Sequence, residues 1–211
     1  MNILWITVGV LVWGGVHSWL ASEPVKRAAR RVIGGAGDRI YRLAFNVFAG
    51  VSLLPILLLA RLLPDHALYS VPAPWLFLML AGQVAAIVCL VVALLQTDAL
   101  HFLGFRQLVQ PESGSALNTG GFYGMVRHPL YLFGLVILWL TPVMTVNVFT
   151  LFALLSLYLF IGAGLEERRL VREFGPQYEE YRRRTPMIIP DLTFSRRKRV
   201  QVASRGGEGK T

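Results

Sequence analysis

Long runs of apolar residues alternate with short basic segments along most of this 211-residue chain. A helix needs about 20 mostly apolar residues to cross the roughly 30 Å hydrocarbon core of a bilayer. Three runs of this kind occupy the first half of the chain: Ile3–Leu20, Leu43–Leu63 and Trp75–Gln96. The first run lacks the basic start and the small-residue cleavage site of a secretory signal, so we expect it to persist as a helix.

A fourth apolar stretch, Leu130–Leu165, is too long for one membrane crossing. As a single helix it would extend about 54 Å. Thr141-Pro142 and Thr145-Val146-Asn147 interrupt it near the middle, where a turn is expected. The stretch therefore predicts a helical hairpin with a short first arm and a longer second arm. Together the pattern predicts an all-α, polytopic membrane protein of about five transmembrane helices.

The composition supports a membrane protein rather than a soluble one. Hydrophobic residues make up 55% of the chain and charged residues 16%, against roughly 25% charged residues in soluble domains. A soluble domain of this size cannot hide so much apolar surface from water. The single cysteine, Cys89, excludes a disulfide framework and a cysteine-based zinc site, and the histidine spacing does not indicate a metal site.

The net charge of +9 follows from membrane topology. Only Arg61 lies near the face opposite the other cations, and the positive-inside rule therefore predicts an external N-terminus and a cytoplasmic C-terminus. No nucleic-acid partner is needed to explain the charge, since the sequence has no basic and aromatic stacking platform away from the membrane. The cations on the predicted cytoplasmic side are Lys26, Arg27, Arg30, Arg31, Arg39, Arg42, Arg106, Arg127 and all of those from Arg168 to Lys210.

Three regions are predicted. Residues 1–96 form three N-terminal transmembrane helices, residues 97–190 form a core of a cytoplasmic loop, the hairpin and a cytoplasmic C-terminal helical segment, and residues 191–211 form a basic, disordered tail that touches anionic lipid. Within the core, Phe174-Gly175-Pro176 is expected to end one helix and to start another at Pro176. Tyr178 and Tyr181 are expected to pack this last helix onto the membrane surface.

The densest group of polar residues lies in a glycine-rich turn, Thr119–Tyr131. Pro129 suits the first position of a helix, and the glycines let the backbone come close to a ligand. The free N–H groups of the helix start, with Arg127 and His128 beside them, would bind a carboxylate or a phosphate. The alternative is a juxtamembrane turn with a snorkelling arginine and an interfacial tyrosine.

An acidic pair, Glu166-Glu167, ends the second arm of the hairpin. Two acids at a helix C-terminus oppose the helix dipole. Either neighbouring arginines offset this cost through short-range ion pairs, or one carboxylate faces inward and binds a ligand. Because the hairpin brings both clusters to the same side of the membrane, together they would hold a zwitterion.

The ordered set of these motifs resembles the C-terminal half of the integral-membrane methyltransferases. That superfamily includes isoprenylcysteine carboxyl methyltransferases, phospholipid methyltransferases and methanethiol S-methyltransferases. The resemblance covers roughly residues 98–190, close to half of the chain. It is carried by Gly121-Phe122-Tyr123, Val126-Arg127-His128-Pro129-Leu130-Tyr131, Glu166-Glu167-Arg168-Arg169-Leu170, Phe174-Gly175, Tyr178, Tyr181, Arg184, Pro186 and Pro190.

The resemblance implies S-adenosylmethionine as the methyl donor, held on the cytoplasmic side of the membrane. Arg127 and His128 are the implied catalytic residues, and a cation at Arg127 would favour the thiolate form of a thiol substrate. The positions that match the family's cofactor-binding motif are Ser115, Ala116, Leu117, Asn118, Tyr123, His128, Pro129, Leu130, Tyr131, Glu166 and Glu167.

The methyl acceptor is expected to be a small or lipophilic thiol. The segments Asp98–Gln107 and Thr141–Thr145 resemble the methanethiol group, and Gly162 stands where eukaryotic isoprenylcysteine members carry a substrate-facing arginine. Carboxyl methylation of isoprenylcysteine, methylation of a lipid headgroup, and a non-catalytic membrane subunit or transporter remain the alternatives. We expect the lipid bilayer and the small substrate as partners, no obligatory protein partner, and a bacterial inner membrane as the location.

Three polar residues inside the predicted spans have two interpretations. His17, Asn46 and Gln83 are costly in lipid unless they are paired. They either form interhelical hydrogen bonds or line a substrate cavity.

Overall fold

The described part of the computed structural model, residues 1–97 and 117–191, is almost entirely helical, as predicted. The side chains of residues 35–39 and 42 are outside this description, as are residues 98–116 and 192–211. Seven α-helices and one two-stranded ribbon are found within the described residues: α1 Asn2–Leu20, α2 Glu23–Ile33, α3 Gly35–Leu62, β1 Ala67–Ser70, α4 Trp75–Gln96, α5 Pro129–Trp139, β2 Val143–Thr145, α6 Val146–Phe174 and α7 Pro176–Arg184.

Four of the described helices are long and apolar enough to cross a membrane. They cover Asn2–Leu20, Leu43–Leu62, Trp75–Gln96 and Val146–Phe174. The first three confirm the predicted spans to within one residue at each end. Helix α3 itself begins earlier, at Gly35, because the apolar pattern marks the part of a helix that faces lipid and not the polar turns that precede it.

The predicted hairpin is present and its first arm is short. Helix α5 has 11 residues, or about 16 Å of length, so it reaches only about half-way across the hydrocarbon core. The chain then turns, and Thr145 begins α6 by accepting a hydrogen bond from the backbone N–H of Val148 at 3.3 Å. The molecule therefore has four full-length spans and one half-length arm among its described residues.

A small ribbon joins two connections at the end of the molecule away from the glycine-rich turn. Strand β1 pairs antiparallel with β2, with Ala67 opposite Thr145 and Ser70 opposite Val143. Beside it, the Asp65 carboxylate accepts the backbone N–H of Asn147 at 3.0 Å. The α3–α4 and α5–α6 connections therefore lie on the same face of the bundle.

The core of the bundle lies between α1, α3 and α6. Its buried cluster consists of Ile6, Val10, Ile56, Ala60 and Leu151. The division at residue 96 stays a prediction, but it does not separate two packing units, because α1 and α3 of the first region pack directly on α6 of the second.

Helix α4 packs along α5 and fixes its depth. The Gln83 side chain donates a 2.8 Å hydrogen bond to the backbone carbonyl of Ile137, so an interhelical bond explains this intramembrane polar residue. Helix α5 is thus held between α4 and α6, with the glycine-rich turn before its first residue.

Candidate active site

The glycine-rich turn is fixed to the end of α4. Gly121 begins a 3₁₀ turn, Gly121–Gly124, with φ at +55°, and a Cβ atom there would lie 2.4 Å from the Gln96 side chain. The Gln96 side-chain oxygen accepts the backbone N–H of Phe122 at 2.9 Å, and its backbone carbonyl accepts the Asn118 side chain at 2.5 Å. The backbone angle favours glycine here, and a Cβ would displace the Gln96 side chain from its hydrogen bond with Phe122.

The segment after α7 forms a strap against the other side of this turn. The backbone N–H of Arg127 donates to the carbonyl of Pro186 at 2.9 Å, and that of His128 donates to the carbonyl of Met187 at 3.0 Å. Ile188 anchors the strap with 1% of its surface exposed. We refer to residues 185–188 as the strap.

Tyr178 and Tyr181 pack α7 onto the turn rather than onto the membrane surface, so that expectation is wrong. Both rings are buried and form an edge-to-face pair with centroids 5.8 Å apart. The Tyr181 hydroxyl donates to the backbone carbonyl of Tyr123 at 2.5 Å. Burial raises the pKa of Tyr178 to about 12. These tyrosines are therefore structural supports of the turn.

Arg127 has its guanidinium donors engaged within the protein. Its Nε donates to Glu167 Oε1 at 2.7 Å, and its Nη2 lies 2.6 Å from the same oxygen. Its Nη1 donates to the backbone carbonyls of Arg182 at 2.9 Å and Thr185 at 2.5 Å. The guanidinium thus ties α6, α7 and the strap together, and in this arrangement it does not offer a free cation to a ligand or a thiolate.

His128 lies between the two glutamates. Its Nδ1 is 3.7 Å from Glu166 Oε2 and its Nε2 is 3.4 Å from Glu167 Oε1, and its ring stacks on that of Tyr131 at 5.3 Å. The ring is 6% exposed, and Nε2 is buried without a hydrogen bond of good geometry. Burial lowers the pKa of His128 although both carboxylates oppose the shift, so the ring is neutral near pH 7.

The two glutamates have different environments. Glu167 forms an ion pair with Arg127, and its side chain is 11% exposed. Glu166 has a side chain that is 36% exposed and accepts the Tyr131 hydroxyl at 3.1 Å; its other partner, Arg169, is 3.9 Å away. Glu166 is therefore the acid that remains available to a ligand.

The structure brings most of the predicted site residues together. Pro129 is buried at the first position of α5, Leu130 follows it on the same helix, and Leu117 and Asn118 lie next to the end of α4. Ser115 and Ala116 lie outside the described residues. Within residues 1–97 and 117–191 the structure has no group of three or more side chains suited to a metal ion.

Sequence reasoning missed Gln96 and the strap. A single polar residue at the end of a long apolar helix is a weak indication of a contact to a distant turn. The strap acts through backbone carbonyls, which any sequence provides. No residue type marks either role.

Comparisons with known proteins show one matching family and several similar proteins. Residues 30–185 match the family described as "Protein of unknown function (DUF1295)". The chain is 31% identical over 193 residues to the methanethiol S-methyltransferase of Pseudomonas sp. (strain GM41(2012)), which covers 86% of this chain and 70% of that protein. It is 32% identical over 187 residues to the methanethiol S-methyltransferase of Mycobacterium tuberculosis, which covers 82% of this chain and 72% of that protein.

Other relatives match over a smaller part of their length. Methanethiol S-methyltransferase 2 of Bradyrhizobium diazoefficiens is 46% identical over 87 residues, which is 41% of this chain and 33% of that protein. The chain spans about half of methanethiol S-methyltransferase 1 of the same organism, 55% of its length. No solved structure matches the chain.

Proposed function

From the premise that this chain belongs to the integral-membrane methyltransferase superfamily, we propose that it transfers a methyl group from S-adenosylmethionine to a small thiol. The relatives named above as methanethiol S-methyltransferases support a thiol acceptor. The observation that carries the proposal is the convergence of His128, Tyr131 and the open Glu166 on one side of the bundle.

The residues present fit the methyl donor. S-adenosylmethionine carries an ammonium group, ribose hydroxyls and a sulfonium, and each of these is complemented by a carboxylate or an aromatic face. Glu166 is exposed enough to accept from the ammonium or the ribose, and the parallel rings of His128 and Tyr131 lie next to it.

The protein's contribution to such a reaction is alignment and exclusion of water. The cofactor supplies an electrophilic methyl carbon on sulfur. Glu166 and Tyr131 would hold it on the protein side, and the turn, which is fixed by Gln96 and the strap, would set its depth relative to the membrane. Fixing the two reactants in line at a site shielded from bulk water is the main source of acceleration for such a displacement.

Arg127 has a positioning role in this proposal. Its engagement with Glu167 and two backbone carbonyls holds the strap on the turn. It therefore acts on the cofactor site through His128 and the turn, in place of the direct role on the thiolate that the sequence predicted.

The test uses the purified full chain in detergent. We expect wild-type protein to bind S-adenosylmethionine and E166Q to bind it at least about tenfold more weakly, because one charge-assisted hydrogen bond is worth about 1.5–3 kcal/mol. The matched control is E180Q, because Glu180 lies on the exposed face of α7 and pairs with Arg183 and Arg184 of the same helix. Absence of binding by the wild type overturns the proposal.

The acceptor is tested with labelled cofactor. Methyl transfer to thiols is compared with transfer to a prenylcysteine and to a lipid extract. Transfer to the thiol supports the proposal, whereas transfer only to prenylcysteine or to lipid overturns the choice of acceptor.

The proposal also includes a location. The chain is a membrane protein with four full-length spans among its described helices. We place its candidate site at the cytoplasmic face of a bacterial inner membrane, because the basic segments lie on the side of the glycine-rich turn. The bilayer is its partner, and the small substrate needs no partner protein.

A further inference from the structure

A second polar cluster lies inside the membrane-spanning part of the bundle. His17 Nδ1, on α1, is 2.7 Å from the hydroxyl of Tyr158 on α6. The Ser18 hydroxyl is 2.9 Å from the same oxygen. Ionisable groups in spans are costly and are retained for a structural or a functional reason.

Aromatic rings surround this cluster. Trp13 stacks on His17 with ring centroids 5.1 Å apart, and Phe45 of α3 lies 4.7 Å from the same ring. Gly14 lets α1 approach closely, since a Cβ there would lie 3.1 Å from the Tyr158 ring. The imidazole is therefore held in a fixed orientation by three helices.

The cluster and the candidate active site lie on the same side of α6. Tyr158, Gly162 and Glu166 are spaced four residues apart and lie on one side of the helix, about 12 Å from first to last. A Cβ at Gly162 would meet no atom within 4 Å. The surface of α6 at Gly162, at the level between Tyr158 and Glu166, is therefore open rather than packed.

Tyr131 connects the two groups. Its hydroxyl donates to Glu166, and it lies close enough to the Tyr158 phenol for an electrostatic interaction. A small acceptor bound at Gly162 would therefore lie between two groups of residues. Glu166 and Tyr131 of the cofactor site would be on one side of it, and His17 would be on the other.

A thiol needs a base, and the described residues of the cofactor site do not provide one. Thiols react as thiolates, and a free alkyl thiol is mostly protonated at neutral pH. Arg127 is occupied by Glu167, and both ring nitrogens of His128 are directed at the two glutamates. Among the described residues, His17 is the base that remains next to α6 on the membrane side of this site.

We propose that His17, oriented by Tyr158, is the general base that accepts the thiol proton, with the thiol bound in the open space at Gly162. This role rests on the proposed function. In this arrangement Nδ1–H donates to the Tyr158 oxygen and Nε2 carries the lone pair. Among the described residues Nε2 has no hydrogen-bond partner.

The step balances with the groups named. The S–H bond breaks and its proton moves to His17 Nε2, the thiolate sulfur forms a bond to the methyl carbon, and the bond from that carbon to the donor sulfur breaks with its electron pair left on that sulfur. The products are a thioether and an imidazolium, which releases its proton to solvent before the next turnover. Tyr158 is a positioning residue in this scheme.

The experiment compares H17Q with H66Q, a matched control in the exposed connection before β1. With an alkyl thiol, we expect H17Q to lower kcat/KM about 100-fold, the usual size of a general-base contribution. With a fluorinated, more acidic thiol of similar size, or at raised pH, most of this loss should disappear. Binding of S-adenosylmethionine should change by less than about twofold.

The pH profile separates a base from a structural residue. The described structure shows hydrogen-bond or ring contacts of His17 with Trp13, Phe45 and Tyr158, and of these three only Tyr158 is titratable. We expect the fall of kcat/KM at acidic pH to disappear in H17Q. In Y158F the fall should move to a different pH, and kcat/KM itself should decrease on the order of tenfold.

The outcomes are distinguishable. Wild-type protein that methylates no thiol overturns the proposed function and, with it, the role of His17. Active wild-type protein with an unchanged H17Q variant overturns only the role of His17. An equal loss for both thiols assigns His17 to structure and likewise overturns the inference.

Discussion

The geometry of the candidate site depends on the guanidinium group of Arg127. It is almost fully buried, and so is its partner Glu167. Removal of one partner from such a buried ion pair destabilises the folded protein by about 3–5 kcal/mol, because it leaves an uncompensated buried charge. The backbone carbonyls of Arg182 and Thr185 add geometric specificity to the pair.

R127M should therefore destabilise the protein and weaken cofactor binding together. R127K should rescue only part of either property, because a lysine lacks the planar fork that reaches three acceptors. Thermal unfolding in detergent and binding of S-adenosylmethionine measure the two effects. The matched control is R183M, whose arginine lies on the exposed face of α7 and pairs with Glu180, and it should unfold at the wild-type temperature. An R127M variant with unchanged stability contradicts the role of the pair.

His128 makes stability depend on pH. Burial lowers its pKa in the folded state, while the unfolded ring titrates near 6.5. The folded protein thus binds fewer protons than the unfolded chain in the interval between the two values. The stabilising contribution is fully present above about pH 6.5 and is lost as the pH falls through the lowered value.

Thermal unfolding at a series of pH values from 7.5 downward tests this expectation. The unfolding temperature of the wild type should fall below the ordinary histidine pKa, and H128Q should show a smaller fall over the same interval because glutamine does not titrate. Equal pH dependence in both proteins would show that other groups cause the loss.

At the scale of single residues, the sequence predicted which residues form the site but not the role of each one. Arg127, His128 and the two glutamates could be found because a hairpin brings its two ends to one side of the membrane. The sequence could not predict which glutamate remains available to a ligand, because this depends on which carboxylate the Arg127 guanidinium binds. That geometry is set by the strap, whose backbone contacts leave no pattern in the sequence.

Helix α6 has two glycines just before its acidic pair, and we expect them to have different roles. A Cβ at Gly162 or at Gly164 would meet no atom within 4 Å. The two positions are about 200° apart around the helix, and only Gly162 lies between Tyr158 and Glu166 in the four-residue spacing. Gly164 is therefore a matched control for a substitution at Gly162.

G162L should fill the proposed acceptor space and leave the fold intact, because the position is open and leucine has a higher helix propensity than glycine. We expect the KM for a thiol to rise by at least about tenfold, with a larger rise for bulkier thiols and unchanged binding of S-adenosylmethionine. G164L should leave both quantities unchanged. Equal effects of the two variants would contradict an acceptor site at Gly162.

At the scale of elements, hydropathy and chain breakers predicted the long helices well. Proline and threonine pairs located the turn of the hairpin, and Phe174-Gly175-Pro176 located the boundary between α6 and α7, where Gly175 has a φ of +55°. The ribbon of β1 and β2 was not predicted, since strands of four and three residues are too short to show a period. Helix α2, a basic amphipathic helix between two spans, was also taken for a connection.

The whole molecule has two distinct faces. On one face the ribbon joins the α3–α4 and α5–α6 connections, and on the other face the end of α4, the glycine-rich turn, the end of α6 and the strap meet. The half-length α5 accounts for part of this asymmetry. Because it spans only about half of the hydrocarbon core, its two ends cannot both reach a membrane surface.

The sidedness of these faces is the last prediction. The basic residues that follow α6 and α7 place the face with the turn in the cytoplasm, so Ser70 in β1 should be external and Gln177 in α7 internal. Both side chains are exposed, and C89A removes the only native cysteine. In intact cells a membrane-impermeant maleimide should label S70C in this background at once and Q177C only after the membrane is permeabilised. The reverse pattern would place the site on the outer side, where cytoplasmic S-adenosylmethionine does not reach it, and the orientation and the proposed function would both fail.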